Sequence, residues 1–284
     1  MNYRTDLALE RHRLIGDNVL NGVDLEEKVY GKTKITRIKV TSPEGEKALN
    51  KSKGSYITLE IEPPSSNPNE SENEIELLAN ELSALIPKEG CVLVAGLGNH
   101  NITPDAIGPK TVDFTLSTRH VADAMPQFEF RSVAAISPGV MGQTGIETGD
   151  VIRSVCSEIG ACCVIAVDAL ASMSTKRLGR TIQICDTGIS PGSGVGNKRA
   201  ELSEKTLGVP VIAVGVPTVV DAQTIVSDAV GEDTQIDESA LKGLMVTPRE
   251  IDSLILSISK VLALAIGRAL QPSLSTSDLY FLTM

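Results

Sequence analysis

From residue 72 onward, short runs of consecutive apolar residues alternate with stretches in which apolar residues recur every three or four positions. The runs have the length of strands buried on both faces, and the stretches between them have the period of helices that cover a sheet. The runs lie at residues 91–95, 130–136, 162–168, 180–185 and 209–216. This alternation predicts an α/β fold, with a mostly parallel twisted sheet covered by helices on both faces.

Two segments nearer the N-terminus have a different pattern. Residues 32–40 and 54–62 alternate polar with β-branched or other apolar residues, which is typical of strands with one buried face. A turn-forming stretch separates them, so they are predicted to pair as an antiparallel hairpin at one edge of the sheet. Residues 1–30 are polar and mixed, show no clean period and predict no element.

Several stretches have the composition of helices. Ser71 followed by Glu74 forms a capping-box pattern ahead of an apolar face. Thr247, a proline and then Glu250 predict the start of a second helix with a long apolar stripe. A third helix is predicted at about residues 148–159 and leads into the run that ends at residue 168.

Composition and charge restrict the possible partners and compartment. The chain has 284 residues, 42% of them hydrophobic, and a formal net charge of −10. No direct nucleic-acid partner is expected, because phosphate contacts need clustered Lys and Arg. The five cysteines are odd in number and lack CxxC spacing, which indicates a reducing cytoplasm rather than disulfides or a zinc site. The first residues lack a signal-peptide pattern, and basic residues interrupt the longest apolar segment, so no membrane span is expected.

Two aspartates that follow apolar runs are the candidate catalytic residues. Asp105 comes after the run 91–95, two glycines and a Thr-Pro helix start, and Asp168 ends the run 162–168. Open α/β sheets carry their chemistry at the carboxyl ends of strands, so both carboxylates are expected at one site. The pattern leaves open that each serves structure instead, Asp105 by complementing a helix N-terminus and Asp168 by capping the next element of the chain.

A pair of carboxylates has a specific chemical use. Two such groups within a few ångströms share a proton, because ionising both is costly. One can activate a water molecule for attack on an amide carbonyl while the other protonates the leaving nitrogen. A helix N-terminus favours the ionised form, so Asp105 is the expected base. Asn99, His100 and Asp186 are expected to line the same site.

Other motifs fit known chemistry less well. The glycine-rich stretches at residues 96–101 and 192–199 lack full dinucleotide or Walker spacing, so tight turns explain them as well as phosphate binding does. Asp186-Thr187-Gly188 matches the triplet of pepsin-like proteases, but those all-β proteins need two such triplets. His100 could orient a carboxylate or bind metal, although no histidine follows His120 to complete a site. For the same reason the later cysteines are expected in the core and not as nucleophiles.

Five of these segments together resemble the germination protease, or spore protease, family of endospore-forming bacteria. The resemblance covers about residues 3–270, and the order of the motifs argues against a chance match. The motifs are Gly96-Leu97-Gly98-Asn99 with Thr103-Pro104-Asp105-Ala106-Ile107-Gly108-Pro109, then Ser137-Pro138-Gly139-Val140-Met141-Gly142-Gln143-Thr144-Gly145, Val167-Asp168-Ala169-Leu170-Ala171, and Asp186-Thr187-Gly188-Ile189 through Arg199. The chain is compact for this family, and the segment between Leu170 and Arg180 is brief.

The resemblance implies an endopeptidase that initiates degradation of small acid-soluble spore proteins during germination. It also implies a fold similar to that of hydrogenase maturation endopeptidases, a self-processing zymogen, and a homotetramer in the cytoplasm of the spore core. No cofactor or metal is expected. By match of motif, Asp105 and Asp168 fall on the two aspartates proposed as the family's catalytic pair.

The N-terminus contains a second feature of this kind. Thr5-Asp6-Leu7-Ala8-Leu9-Glu10 is similar to the cleavage motif of the family's substrates, which has Thr, an acid, a large apolar residue, Ala, any residue and Glu. Self-processing is therefore expected between Asp6 and Leu7. Residues 1–6 would then form a propeptide and residues 7–284 a single α/β protease domain.

Two other functions stay open. A metal-dependent maturation-type endopeptidase would use Asp105, Asp168 and a histidine around a metal, although such relatives take that histidine from a later strand, where this chain has none. A non-enzymatic α/β module would use the glycine loops to bind an anion.

Overall fold

The structure is a computed structural model that describes residues 5–16, 20–65, 67–125, 127, 129–192, 200–230 and 241–284. Its strands are β1 (Val23–Tyr30), β2 (Thr33–Val40), β3 (Gly54–Glu60), β4 (Cys91–Gly96), β5 (Val133–Ile136), β6 (Ala161–Ser172), β7 (Thr181–Cys185), β8 (Val211–Asp221) and β9 (Met245–Val246). Its helices are α1 (Ala8–Ile15), α2 (Pro43–Leu49), α3 (Glu72–Leu85), α4 (Ile107–Asp113), α5 (Arg119–Ala124), α6 (Met141–Thr144), α7 (Thr148–Ile159), α8 (Glu204–Leu207), α9 (Ala222–Val230), α10 (Ile251–Leu270) and α11 (Thr276–Thr283).

The strands form one mixed sheet in the order β1-β2-β3-β7-β8-β6-β4-β5, with β9 beside β8. The α/β prediction is confirmed. Parallel pairing, however, is confined to the neighbours β5-β4-β6-β8, and the other pairs are antiparallel, so the expectation of a mostly parallel sheet is wrong. The connection from β6 to β7 explains part of this difference. Residues 173–180 are fewer than the dozen or so that a parallel crossover needs.

The predicted hairpin is present as β2 and β3, which pair antiparallel toward one edge of the sheet. Its connection contains α2, which Ser42 caps by accepting a hydrogen bond from the Gly45 N–H. Outside β2 lies β1, which the sequence did not predict. Nearly all β1 side chains are exposed, so the strand has no buried face to impose an alternation of apolar and polar residues.

Helices cover both faces of the sheet, as predicted. Along β4, Val92 and Val94 pack into a core with α3 and α10, whereas Leu93 and Ala95 pack into a core with α7 and α8. Successive strand residues face opposite sides, so this partition places β4 between two apolar layers. The helix predicted at residues 148–159 is confirmed as α7.

The apolar helix α10 is long and apolar enough to cross a membrane by length and composition, and two-thirds of its most apolar window is buried. It packs against α3 and α4. It begins at Ile251 and not at Thr247, where the sequence placed its start. The Thr247 hydroxyl donates to the Thr218 carbonyl of β8 instead of capping the helix.

Two strand ends and one helix cap also differ from the predictions. Asp168 does not end its strand, because β6 continues to Ser172, and β8 continues through Pro217. The two extended strands pair with each other over this length, with a shift in register after Leu170. The side chain of Ser71 forms no cap at α3, and the Glu74 carboxylate accepts a hydrogen bond from Thr33 instead. The polar segment at residues 231–240 and the glycine-rich loop at 193–199 lie outside the described residues.

Candidate active site

Asp105 is held in a 3-10 turn, Thr103–Asp105, that follows β4. Its carboxylate accepts a hydrogen bond from the Asn99 backbone N–H at 2.7 Å. Gly98 makes this closure possible. Its φ is +113°, and a Cβ there would lie 2.0 Å from the Asp105 carbonyl oxygen, so a side chain would displace the loop.

A second glycine brings the Asp105 turn down onto the sheet. A Cβ on Gly108 would lie 2.4 Å from the Val167 carbonyl oxygen and 2.3 Å from that of Leu97. The first turn of α4 therefore packs directly on the end of β4 and on the middle of β6. Gly108 and Pro109 both lie inside α4, where the proline occupies a first-turn position that needs no N–H.

Asp168 lies in β6 one residue beyond the last pair with β4, Gly96 and Val167. It is 4% exposed, and its carboxylate accepts the N–H of Ala169 at 2.9 Å. On the other side β6 pairs with β8, where Asp168 faces Gly215. Asp168 is thus a buried carboxylate in the part of β6 that outruns β4.

The two aspartates line one cavity of about 710 Å³, as the sequence expected of their strands. Asn99 and Asp6 line it too, together with Val140 of the loop between β5 and α7. Gln143 of that loop donates through Nε2 to the Asn99 side-chain oxygen at 2.9 Å. Pro191 and Gly192 line the cavity as well, so all five motifs that carry the family resemblance meet there.

His100 and Asp186, which the sequence also associated with the site, are both exposed and do not line this cavity among the described residues. The Asp186 carboxylate accepts the Ser55 N–H at 2.7 Å at the start of β3. Thr187 and Gly188 line an adjoining cavity, into which Asp168 also faces. In the part of the chain that the structure describes, no cluster of three His, Cys, Asp or Glu residues could hold a metal ion.

The N-terminal segment reaches the aspartates. The Asp6 N–H donates to the Ala171 carbonyl at 3.1 Å, and the Ala171 N–H donates to the Asp6 carboxylate at 2.9 Å. Asp6 lines the cavity of the two aspartates, and Leu7 is fully buried. The bond expected to be processed, Asp6–Leu7, therefore lies beside the candidate catalytic pair.

The other motif positions of this segment have specific partners. The Glu10 carboxylate pairs with the Arg177 guanidinium at 3.2 Å and accepts hydrogen bonds from the Ser172 hydroxyl, the Met173 N–H and the Thr5 hydroxyl. Arg177 and Glu10 are both buried. The acid at the end of the motif is thus bound as specifically as the acid at the processing site.

Sequence reasoning missed two residues that contact the Asp6 carbonyl. The Lys51 ammonium donates to it at 2.7 Å and the Gln183 side-chain amide at 3.3 Å. Gln183 is a polar residue in the middle of the apolar strand β7, a signal that could have identified it. Lys51 follows α2 in a polar stretch, and its sequence context contains no comparable signal.

Comparison with known proteins identifies the family. A model of the germination protease family matches residues 5–232. The chain is 42% identical to the germination protease of Clostridium tetani over 98% of both chains, and 42% identical to that of Caldanaerobacter subterraneus over 98% of this chain and 97% of the relative. It is 46% identical to that of Halalkalibacterium halodurans over 81% of this chain and 66% of the relative.

These matches agree with the resemblance inferred from the motifs. The alignment with the Clostridium tetani protein extends over 322 positions, more than the 284 residues of this chain, so that relative contains residues that this chain lacks. The shortening leaves the aspartate cavity and its glycine-supported turn in place. With a family match over most of its length and near-complete coverage by relatives at this identity, the chain belongs to the germination protease family.

Proposed function

We propose that this protease hydrolyses peptide bonds with Asp105 and Asp168 as an acid–base pair. The observation that carries the proposal is that both carboxylates, delivered from separate strands, line one cavity together with Asp6 of the motif-like N-terminal segment. A shared proton between two such groups supplies the base and the acid that amide hydrolysis needs.

The surroundings of the two carboxylates support different roles. The Asn99 N–H donates to Asp105 and stabilises its ionised form, which suits the base that takes a proton from water. Asp168 also accepts a backbone N–H, that of Ala169, but it is 4% exposed, and burial favours the neutral acid that protonates the leaving nitrogen. This assignment agrees with the expectation that Asp105 is the base.

The proposed substrates are small acid-soluble spore proteins, cut during germination, and the chain's own Asp6–Leu7 bond. Support comes from the family and from the docked segment Thr5–Glu10, whose motif positions each have a partner. In this proposal the chain is a self-processing zymogen of the aspartic type, with residues 1–6 as its propeptide and residues 7–284 as a single α/β protease domain.

The test uses a synthetic peptide that contains Thr-Asp-Leu-Ala-Leu-Glu. The full chain should cut it between Asp and Leu, with or without a chelator, and sequencing of the processed chain should begin at Leu7. Asp105→Asn and Asp168→Asn should each lower the rates of both reactions by about 10²–10⁴-fold. Loss of activity with the chelator would favour the metal-dependent alternative, and an inert full chain would favour an anion-binding module.

The family resemblance also supports a homotetramer in the cytoplasm of the spore core. Sedimentation equilibrium of the full chain should return four times the mass of one chain, 30.1 kDa. A monomeric mass at micromolar concentration would remove this part of the proposal without affecting the acid–base pair.

A further inference from the structure

The carbonyl group of Asp6 lies in a site with two hydrogen-bond donors. Lys51 Nζ lies 2.7 Å from the carbonyl oxygen and Gln183 Nε2 lies 3.3 Å from it. The Gln183 side chain also accepts the Ala8 N–H through Oε1 at 2.7 Å. Its amide therefore binds the backbone on both sides of Leu7, so the peptide bond between Asp6 and Leu7 is fixed at its carbonyl end.

A carbonyl oxygen becomes negatively charged when water adds to the carbon in amide hydrolysis. Donors already placed within hydrogen-bond distance stabilise that charge without reorganisation, and a cation does so most strongly. We propose that Lys51 is a catalytic residue, which with Gln183 binds the oxyanion formed at the cleaved carbonyl. The inference rests on the proposed function and adds the residues that stabilise the oxyanion at the same site.

The two donors and Asp105 line different cavities beside Asp6. Asp6 and Asp168 line both adjoining cavities, whereas Lys51 and Gln183 line one of them and Asp105 the other. Water activated at Asp105 can thus approach the carbonyl carbon while the carbonyl oxygen stays bound to Lys51. The attacking and stabilising groups do not compete for one position.

Cross-strand pairing explains how Gln183 reaches this position. Gly215 of β8 pairs with Asp168 on one side and with Gln183 on the other, so the three residues form one row across β6, β8 and β7. The central residue is a glycine, and the Leu170 side chain of β6 occupies the space where a Cβ of Gly215 would lie. The row thus fixes the acid and the amide donor on strands that are two apart in the sheet.

The chemical step balances without a further reactant. The water oxygen bonds to the Asp6 carbonyl carbon, its proton passes to Asp105, and the carbonyl π electrons move to the oxygen bound by Lys51. When the carbonyl re-forms, the bond to the Leu7 nitrogen breaks and that nitrogen takes a proton from Asp168. The products are the Asp6 carboxyl group and the Leu7 amine.

Lys51 must be protonated for this role. The groups that face its ammonium are Asp6, Arg11, Cys185 and the ring of Tyr56, whose centroid is 5.9 Å away. Burial lowers the pKa of Lys51 from 10.5, although the charge of Asp6 opposes this shift. The rate of cleavage should therefore fall as the pH rises through a value below 10.5.

The experiment follows full chains made by cell-free translation and measures the appearance of the form that begins at Leu7 by mass spectrometry. It also measures kcat and KM on the Thr-Asp-Leu-Ala-Leu-Glu peptide. Lys51→Met should lower the processing rate and kcat by about 10²–10³-fold, the effect of losing one oxyanion donor, with a smaller change in KM. Lys47→Met, an exposed lysine on α2, is the matched control and should process normally.

Lys51→Arg keeps the charge and should keep part of the activity, with the alkaline fall in kcat moved to higher pH. Processing of Lys51→Met at the rate of the unsubstituted chain would overturn the inference. So would an alkaline fall that is unchanged in Lys51→Arg. If Lys51→Met does not fold by circular dichroism, Gln183→Met tests the second donor, and unchanged kcat there together with an unmoved alkaline fall in Lys51→Arg overturns the inference.

The aspartate variants separate the two proposals. Loss of cleavage in Lys51→Met with activity retained in Asp105→Asn would refute the acid–base pair and leave the oxyanion assignment supported. Loss in Asp105→Asn with full activity in Lys51→Met would refute the oxyanion assignment alone.

Discussion

Asp168 and Asp186 have similar sequence contexts and different positions in the molecule. Each follows an apolar run of strand length, at 162–167 and 181–185. Asp168 is buried in β6, where the paired strand β4 has already ended, and it faces a cavity. Asp186 is exposed, and its carboxylate accepts the N–H of Ser55 at the start of β3.

The neighbouring strands explain the difference. The parallel neighbours β4 and β6 end at different heights, so the longer strand carries its acid into the space above the shorter one. The neighbours β7 and β3 are antiparallel, so the end of β7 lies beside the start of β3. The backbone N–H of Ser55 in β3 therefore binds the carboxylate of Asp186, which follows β7. In this sheet, an acid that follows an apolar run lines a cavity where one of its neighbouring strands ends before it, as β4 ends before Asp168.

The largest effect should distinguish these two acids directly. Asp168→Asn should lower peptide cleavage by about 10²–10⁴-fold, the contribution of a general acid or base. Asp186→Asn should leave the rate near that of the unsubstituted chain, because its side chain binds backbone away from the cavity. Equal losses in a peptide-cleavage assay, with melting temperatures unchanged, would show that the comparison assigns the roles wrongly.

Two glycines extend the comparison, Gly98 in the turn of Asp105 and Gly188 in the turn after Asp186. Gly98→Ala and Gly188→Ala both place a Cβ about 2 Å from a backbone carbonyl oxygen, at positive φ, so each should cost about 1–3 kcal/mol of stability. Gly98→Ala should also lower kcat, by up to about 10²-fold, because it displaces the Asp105 turn. Gly188→Ala should lower kcat less, because its Cβ would meet the Leu202 carbonyl and no candidate catalytic residue, although Gly188 lines the adjoining cavity.

Urea unfolding gives the free energy of unfolding of each glycine variant, and the maximal rate of peptide cleavage divided by the concentration of folded protein gives its kcat. If Gly188→Ala lowers this kcat as much as Gly98→Ala does, the turn after β7 matters to catalysis as much as the Asp105 turn, and the contrast between the two regions fails.

The smallest expected effect is on the pH dependence of stability, and it should be similar for a buried cysteine in β6 and one in β7. Burial raises the pKa of Cys163 in β6 to about 12 and raises that of Cys185 in β7 as well. When a thiol has a higher pKa in the folded than in the unfolded state, its full contribution to stability is present below the unfolded pKa, which is near 9. That stability is lost as the pH rises from there through the folded value.

The free energy of unfolding should therefore fall above pH 9 by up to about 1.4 kcal/mol per pH unit for each buried thiol. Cys163→Ala and Cys185→Ala should each flatten that fall in urea titrations at several pH values. A flattening in only one of them would mean that the two strands are not equally well packed.

Much of the fold was predictable because it is encoded locally. The period of α7 and the alternation of β2 and β3 are visible within ten residues, and each predicted element is present. The missed strand β1 is exposed along nearly its whole length, so no burial pattern marks it. The ends of β6 and β8 were predicted too early, at Asp168 and before Pro217. The two strands pair with each other beyond these residues, so both are longer than their apolar runs.

The candidate site was predictable only in part. Asp105 and Asp168 were identified as candidates because each follows a buried run of apolar residues. Asn99 was identified because it belongs to the turn that connects β4 to Asp105. His100 belongs to the same turn but is exposed, which a sequence position cannot reveal. Lys51 and Gln183 were missed because their common partner, the Asp6 carbonyl, is distant from both in sequence.

The sequence by itself determined the α/β class, the order of most elements and the family, and it singled out the two aspartates as candidates, because motifs and burial periods are properties of neighbouring residues. Tertiary structure alone decided which acid faces a cavity and which one binds backbone, and it alone brought Asp6, Lys51 and Gln183 together. Those contacts depend on where adjacent strands end and on which residues pair across them. Strand order and relative height arise from packing of the whole sheet, so no local pattern encodes them.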